Sequence, residues 1–196
     1  MQLDLKLIRT QLKQRRATLS PWQQHQHARR LAQRLAYHPR LQHAQSIGVY
    51  WPVRGEADPC LIRSALKPHQ KLYLPILAQR PRHTLRWLLW TPTTRFKNNR
   101  FNIPEPLVGR SRSLLSSQLD SVLVPLLGFG EQGQRLGMGG GFYDRSFAFL
   151  HRKPRPLKPI LIGIGYEFQK ITDLKSASWD VRLNSLVTEC GMRHFI

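Results

Sequence analysis

Acidic side chains are scarce in this chain. Eleven Asp and Glu stand against 31 Lys and Arg in 196 residues, a formal charge of +20. Such a field gathers anions, so nucleic acid, nucleotides and polyanionic small molecules are the partner classes it favours. The scarcity also singles out any acid that falls beside a strand end. Cysteine is almost missing: Cys60 and Cys190 have no CxxC spacing, and neither a disulfide framework nor a zinc site is supported. No apolar run approaches the roughly 18 residues of a membrane span. Asp4, Lys6 and Arg9 stand where a signal peptide would carry its apolar core, so the expectation is a cytoplasmic protein. There is no internal repeat, no helix-turn-helix, RNP or zinc pattern, and no GxxxxGK[ST], which removes an ordinary P-loop.

What is present is an ordinary apolar content, 41%, in a chain long enough for one domain, residues 1–196, with a core that needs no staples. Leu5, Ile8, Leu12 and Leu19 follow a helical spacing, and Lys6, Arg9, Lys13 and Arg16 share another face. Ser20-Pro21-Trp22-Gln23 reads as a second helix start, with Ser as N-cap, Pro in the first turn and Gln three residues on. That helix is expected to run to about Tyr37. Residues 46–51 read as a buried strand. Asp58-Pro59 reads as the start of a helix ending before Pro68. Residues 71–75 and 85–90 read as strands, and 91–117 as loop with a short helix near its end. Residues 121–127 form a strand before a glycine-rich loop, 142–150 a helix, 151–159 a basic connector, and 160–166 and 185–188 further strands. Helices alternating with short, continuously apolar strands predict an α/β fold with a mainly parallel sheet. Ligands in such folds bind beyond the carboxyl ends of the strands.

One segment sits at such an end and carries most of the chemistry: Arg135-Leu136-Gly137-Met138-Gly139-Gly140-Gly141-Phe142-Tyr143-Asp144-Arg145. Consecutive glycines permit positive φ and close backbone approach to a phosphate. Arg135 suits bidentate contact with phosphate oxygens. Asp144 suits a metal ion beside those phosphates, although taken alone it fits the first turn of a helix better. The preceding Gly128-Phe129-Gly130-Glu131-Gln132-Gly133 matches GxGxxG formally, but no helix opens after it and no acid ends a second strand at the right distance, so a dinucleotide site is rejected. Glu56, between a strand and a helix, is either placed for ligand contact or an exposed loop acid; Asp58 reads as an N-cap. Lys6 and Arg9 form either a phosphate-reaching face or a solvated one.

These residues resemble the 5-formyltetrahydrofolate cyclo-ligase family, also called methenyltetrahydrofolate synthetase. The likeness covers most of the chain and centres on an RLGxGxG(Y/F)YD signature at 135–144. It extends to Lys6-Leu7-Ile8-Arg9 and Arg16, to Trp51 through Glu56, to Asn102-Ile103-Pro104-Glu105-Pro106, and to the tail with Asp180 and Val187-Thr188-Glu189. The resemblance implies a three-layer, Rossmann-like sandwich preceded by an N-terminal helical pair. It implies ATP- and Mg2+-dependent cyclisation of 5-formyltetrahydrofolate to 5,10-methenyltetrahydrofolate. Lys6, Arg9 and Arg135 to Tyr143 (with Leu136, Gly137, Met138, Gly139, Gly140, Gly141 and Phe142) would contact ATP. Trp51, Glu56 and Met138 to Phe142 would meet the folate, polyglutamylated or not. Asp144 and Asp180 would hold Mg2+, and Arg135 and Asp144 would be the catalytic pair of a monomer. Leu126, Gly130 and Asn184 depart from the pattern, where Gly, Asp and an acid are frequent. The charge alone would also suit a nucleic-acid-binding protein without enzymatic activity.

Overall fold

In a computed structural model that describes residues 4–81, 83–107 and 112–195, the chain opens with two helices whose ends the sequence marks. Helix α1 (Leu5–Ala17) is capped by Asp4, whose carboxylate accepts from the Lys6 and Leu7 amides at 2.9 and 3.1 Å. Helix α2 (Pro21–Ala36) begins on a complete capping box: Gln23 N donates to Ser20 Oγ and Ser20 N donates to Gln23 Oε1. A single turn, α3 (Pro39–Gln42), follows.

The strands are β1 (Ser46–Gly48), β2 (Lys71–Leu77), β3 (Leu85–Leu89), β4 (Phe96–Asn98), β5 (Pro104–Pro106), β6 (Ser121–Pro125), β7 (Gly128–Phe129), β8 (Arg135–Leu136), β9 (Ile160–Ile164), β10 (Ser185–Val187) and β11 (Met192–His194). Seven form one sheet in the order β11-β10-β9-β6-β1-β2-β3. The inner five run parallel, and β3 and β11 close the edges antiparallel. Alternation along the strands divides the core in two. Leu123, Ile162 and Val187 face a cluster with Leu31, Leu35 and Leu41 of the α2–α3 layer. Their neighbours Val122, Val124, Leu161 and Leu186 face the other cluster, which includes Phe147 of helix α4 (Phe142–Phe147) and Leu150. Strands covered on both faces must be apolar at successive positions, which is why they read as continuous runs. A third, smaller cluster of Leu12, Leu127, Leu136, Ile171 and Leu174, with Ile8 against it, pins α1 onto the β7–β8 hairpin.

Several elements differ from the sequence expectation. The helix expected after Asp58-Pro59 is a 3-10 helix, Cys60–Ala65. The stretch read as loop contains the β4–β5 hairpin, whose turn is built by Asn99 Oδ1 accepting from Phe101 N and Ile103 N; residues 108–111 lie outside the described residues. The strand before the glycine loop stops at Pro125, and the hairpin β7–β8 intervenes. The GxGxxG segment forms the first strand of that hairpin and its turn, and leads into β8 and not into a helix. Helix α4 is six residues long and passes into a 3-10 turn, Ala148–His151.

Candidate active site

Loops from three sequence-distant regions converge beyond the carboxyl ends of β1, β6 and β9. The β7–β8 hairpin delivers the glycine loop. Gly139 has φ +96°, a conformation that side chains with a Cβ adopt only under strain. Two arginines hold the loop by its carbonyls. Arg9 Nε, from α1, donates to Gly137 O at 3.2 Å. Arg145 Nη2 donates to Gly140 O, and its Nε donates to His83 O at 3.1 Å. In a trans peptide the N–H points opposite to the C=O. Fixing those two carbonyls therefore also fixes the directions of the Met138 and Gly141 amides.

Arg135, at the base of the loop, is paired with Asp144: Nη2 to Oδ1 is 2.6 Å, with the side chains 7% and 19% exposed. Asp144 Oδ1 also accepts from Val181 N at 3.3 Å, which draws the Asp180 segment alongside. Asp180 itself accepts from Ala177 N at 2.8 Å. A cavity of about 340 Å³ opens there, lined by Asp180, His151, Arg155, Ser176 and Arg182. Among the described residues no three His, Cys, Asp or Glu side chains form a metal cluster. Carboxylate oxygens are the donors that Mg2+ favours, and the Val181 amide brings the segment of Asp180 to the Asp144 carboxylate.

The loop after β1 brings the second half. Trp51 packs against Phe96 and Trp90, with ring centroids 5.1 and 5.9 Å away. Phe142 sits between Phe101 and His83, at 5.7 and 5.6 Å. The β4–β5 hairpin thus supplies aromatic rings beside both Trp51 and Phe142. Glu56 Oε2 accepts from Val53 N at 3.2 Å, and Glu56 Oε1 faces Arg16 Nη1 at 3.8 Å. Burial raises the Glu56 carboxyl above its ordinary range, against the pull of Arg16 and the Val53 amide. Burial and the Glu56 charge likewise push up the Tyr143 hydroxyl, which places Tyr143, just beyond the glycine loop, within the field of Glu56.

The structure therefore gathers Arg9, Arg135 to Tyr143, Asp144 and the Asp180 segment, with Glu56 and Trp51 on the adjoining side. Lys6 is exposed, and its side chain makes no hydrogen bond or ion pair among the described residues. Sequence reasoning gave no role to Arg145, Trp90, Phe96 or Phe101. Arg145 ends the signature, and that adjacency was its one available signal. The departures have local explanations. Leu126 is 4% exposed and would meet any Cβ at Gly163 or Gly165. Gly130 lies against the Gln134 side chain. Asn184 Oδ1 accepts from Leu161 N at 2.9 Å, as a carboxylate there would.

Comparison with known proteins agrees along most of the chain. The family model "5-formyltetrahydrofolate cyclo-ligase family" matches residues 3–189. The chain is 35% identical over 177 residues to 5-formyltetrahydrofolate cyclo-ligase of Haemophilus influenzae, covering 90% of this chain and 92% of that protein. It is 34% identical over 179 residues to the Escherichia coli K12 protein of the same name, covering 90% and 96%. Its fold is similar to 5,10-methenyltetrahydrofolate synthetase of Aquifex aeolicus (TM-score 0.79, 24% identity, 98% of this chain and 93% of that one). It is likewise similar to the Mycoplasma pneumoniae synthetase (TM-score 0.73, 24% identity, 95% and 99%).

Proposed function

The chain belongs to the 5-formyltetrahydrofolate cyclo-ligase family, and from that premise we propose that it uses Mg-ATP to close 5-formyltetrahydrofolate into 5,10-methenyltetrahydrofolate, releasing ADP and phosphate. Membership of an enzyme family sets aside the non-enzymatic, nucleic-acid-binding alternative. One observation carries the finer reading. Arg9 and Arg135 converge on the glycine loop, while Tyr143 at its far end lies in the field of Glu56. Two guanidinium groups at the glycine loop, and a buried carboxylate whose charge reaches Tyr143 just past it, support a nucleotide and a pterin bound side by side.

The chemistry asks for little covalent help. Nitrogen donation deadens a formamide carbonyl, so the formyl oxygen first takes the γ-phosphoryl group and becomes part of a leaving group. The substrate's second nitrogen then bonds to the formyl carbon and loses its proton. The carbon–oxygen bond breaks, phosphate departs, and the methenyl cation remains. The protein's task is positioning and charge neutralisation. The loop amides and Arg9 hold the nucleotide phosphates, with Lys6 reaching them from the exposed face of α1. Arg135 exchanges Asp144 for a phosphate oxygen. Asp144 and Asp180 would hold Mg2+, which when bound neutralises phosphate charge. Glu56 orients the pterin, and Trp51, with Trp90 and Phe96, forms an apolar wall for it. We read residues 1–196 as one catalytic domain, acting as a cytoplasmic monomer on folates with or without polyglutamate tails. Among the described residues, no helix is long and apolar enough to cross a membrane.

The test is direct. Purified protein, Mg-ATP and 5-formyltetrahydrofolate are mixed and the methenyl absorbance is followed. The expected result is a chromophore that requires all three components. Its absence, with both substrates saturating, would overturn the reading.

A further inference from the structure

A guanidinium buried among packed side chains is unfavourable unless it is paired and fully hydrogen-bonded. Arg16 meets neither condition well. It lies in the last turn of α1 and is 1% exposed, whereas Lys6, Lys13 and Arg15 of the same helix are exposed. Its Nε and Nη1 are buried with no hydrogen-bond partner in the protein. The opposing charge is Glu56, at 3.8 Å, well beyond the roughly 2.7–2.9 Å of a charge-assisted hydrogen bond. A pair kept only for stability would be expected to close its fork. Here the fork stays open, with Nη1 facing Glu56 Oε1.

Arg16 touches the same loop a second time. Arg54 and Gly55 both have positive φ, +51° and +72°, and form the bend that carries Glu56. A Cβ at Gly55 would lie 3.2 Å from the Arg16 carbonyl oxygen. The loop thus lies across the end of α1, with its backbone on the Arg16 carbonyl and its carboxylate facing the Arg16 guanidinium. The other end of α1 reaches the glycine loop through Arg9. One rigid helix therefore contacts both halves of the site.

We propose that Arg16 is a positioning residue for the folate: it holds the Glu56 carboxylate in the orientation that meets the pterin, and ties that orientation to the helix that supports the glycine loop. The proposal rests on the reading that Glu56 contacts folate. The groups in the field of Glu56 are Arg16 from α1, Arg54 of its own loop, Tyr50 after β1, Tyr143 of α4 and Tyr166 after β9, with Asp58 beside Tyr50 and Tyr166. Burial raises the Glu56 carboxyl, and Arg16 is the strongest influence opposing it. Without that cation, Glu56 takes up its proton at higher pH.

The experiment measures KM for each substrate and the acid limb of kcat/KM in Arg16→Gln, Arg16→Lys, Glu56→Gln and Arg16→Gln/Glu56→Gln. For Arg16→Gln the expected result is a folate KM raised about tenfold or more, an ATP KM within about twofold of the parent, and an acid limb moved to higher pH. Arg16→Lys keeps the cation, so its acid limb stays near the parent's while its folate KM rises about threefold. The double variant matches Glu56→Gln alone, because Arg16 acts through Glu56. If Arg16→Gln does not fold, Arg16→Lys decides: a raised folate KM with unchanged ATP KM supports the role. Unchanged values for both substrates overturn it, and so does a parallel rise in both, which would mean only a loosened helix. A Glu56→Gln enzyme with normal folate KM sinks the Glu56 reading and this proposal together. An impaired Glu56→Gln beside a normal Arg16 variant sinks this proposal alone.

Discussion

At the amino ends of the parallel strands, Asp120 accepts from Gln45 N, Ser46 N and Ser46 Oγ, each at 2.9 Å, and from Lys158 Nζ at 2.5 Å. One carboxylate so joins the starts of β1 and β6 to the connector leading into β9. At the carboxyl ends, Glu56 has one backbone donor and a cation held 3.8 Å off. Burial pushes on both acids. It is overcome at Asp120 by the bonds from Lys158, Ser46 and Gln45, which bring the carboxyl down to about 2, whereas at Glu56 it prevails. The same functional group is fully hydrogen-bonded at one end and has a single hydrogen bond at the other. The glycine loop follows the same division: its carbonyls are tied by Arg9 and Arg145, and the exposed stretch from Met138 to Gly140 is left open.

The strongest way to break this contrast is at Arg135 and Asp144. Arg135→Ala and Asp144→Asn should each lower kcat by roughly 10³-fold, about 4 kcal/mol of barrier, with the folded circular dichroism spectrum retained. Near-normal turnover in either would remove the assigned role. The reciprocal test lies at the other end. Asp120→Ala should cost about 3 kcal/mol of stability in urea titrations by stranding the Ser46 and Gln45 donors, while turnover per folded molecule stays at the parent value. A change in KM there would show that the two ends are not independent.

A third test sharpens the comparison through pH. His38 is buried beside Ser185 at the start of β10, with Nε2 2.9 Å from Ser185 Oγ. Burial, then the charges of His194 and Arg40, lowers it to about 4. The unfolded chain takes a proton near 6.5, and the folded chain resists until about 4. Stability from this group is therefore complete above 6.5 and lost as the pH falls toward 4. The expected loss is about 2 kcal/mol, visible between pH 6.5 and 5, above the range where Asp120 titrates, and reduced in His38→Gln. The smallest effect is expected from Gly139→Ala. A Cβ there meets nothing within 4 Å, so only the positive φ opposes it. About 1 kcal/mol of stability should be lost, with the ATP KM raised severalfold; a KM rise in folate alone would contradict the cradle.

The parts of the site legible in the sequence were those whose cause is local. Asp4 and Ser20 cap helices through partners two or three residues away. The signature at 135–144 needs only its own glycines to make a loop. The strands showed themselves because burial on both faces demands apolar residues at consecutive positions. The β4–β5 hairpin was missed because its exposed strand Phe96–Asn98 lacks any alternation and its turn depends on Asn99 side-chain bonds. The rings of Trp90 and Phe96 gained a role only when a third segment brought Trp51 between them.

By itself, then, the sequence determined the family, the α/β class, the capped helical pair and the loop that should cradle phosphate, because each depends on residue identity at short separations. Only the tertiary structure decided that Arg16 leaves its solvated neighbours to face Glu56, that Arg135 is held by Asp144, and that the Arg9 and Arg145 guanidinium groups close on the loop. Those outcomes depend on desolvation and on polar and charged groups brought together from up to 128 positions apart, quantities that no local pattern encodes.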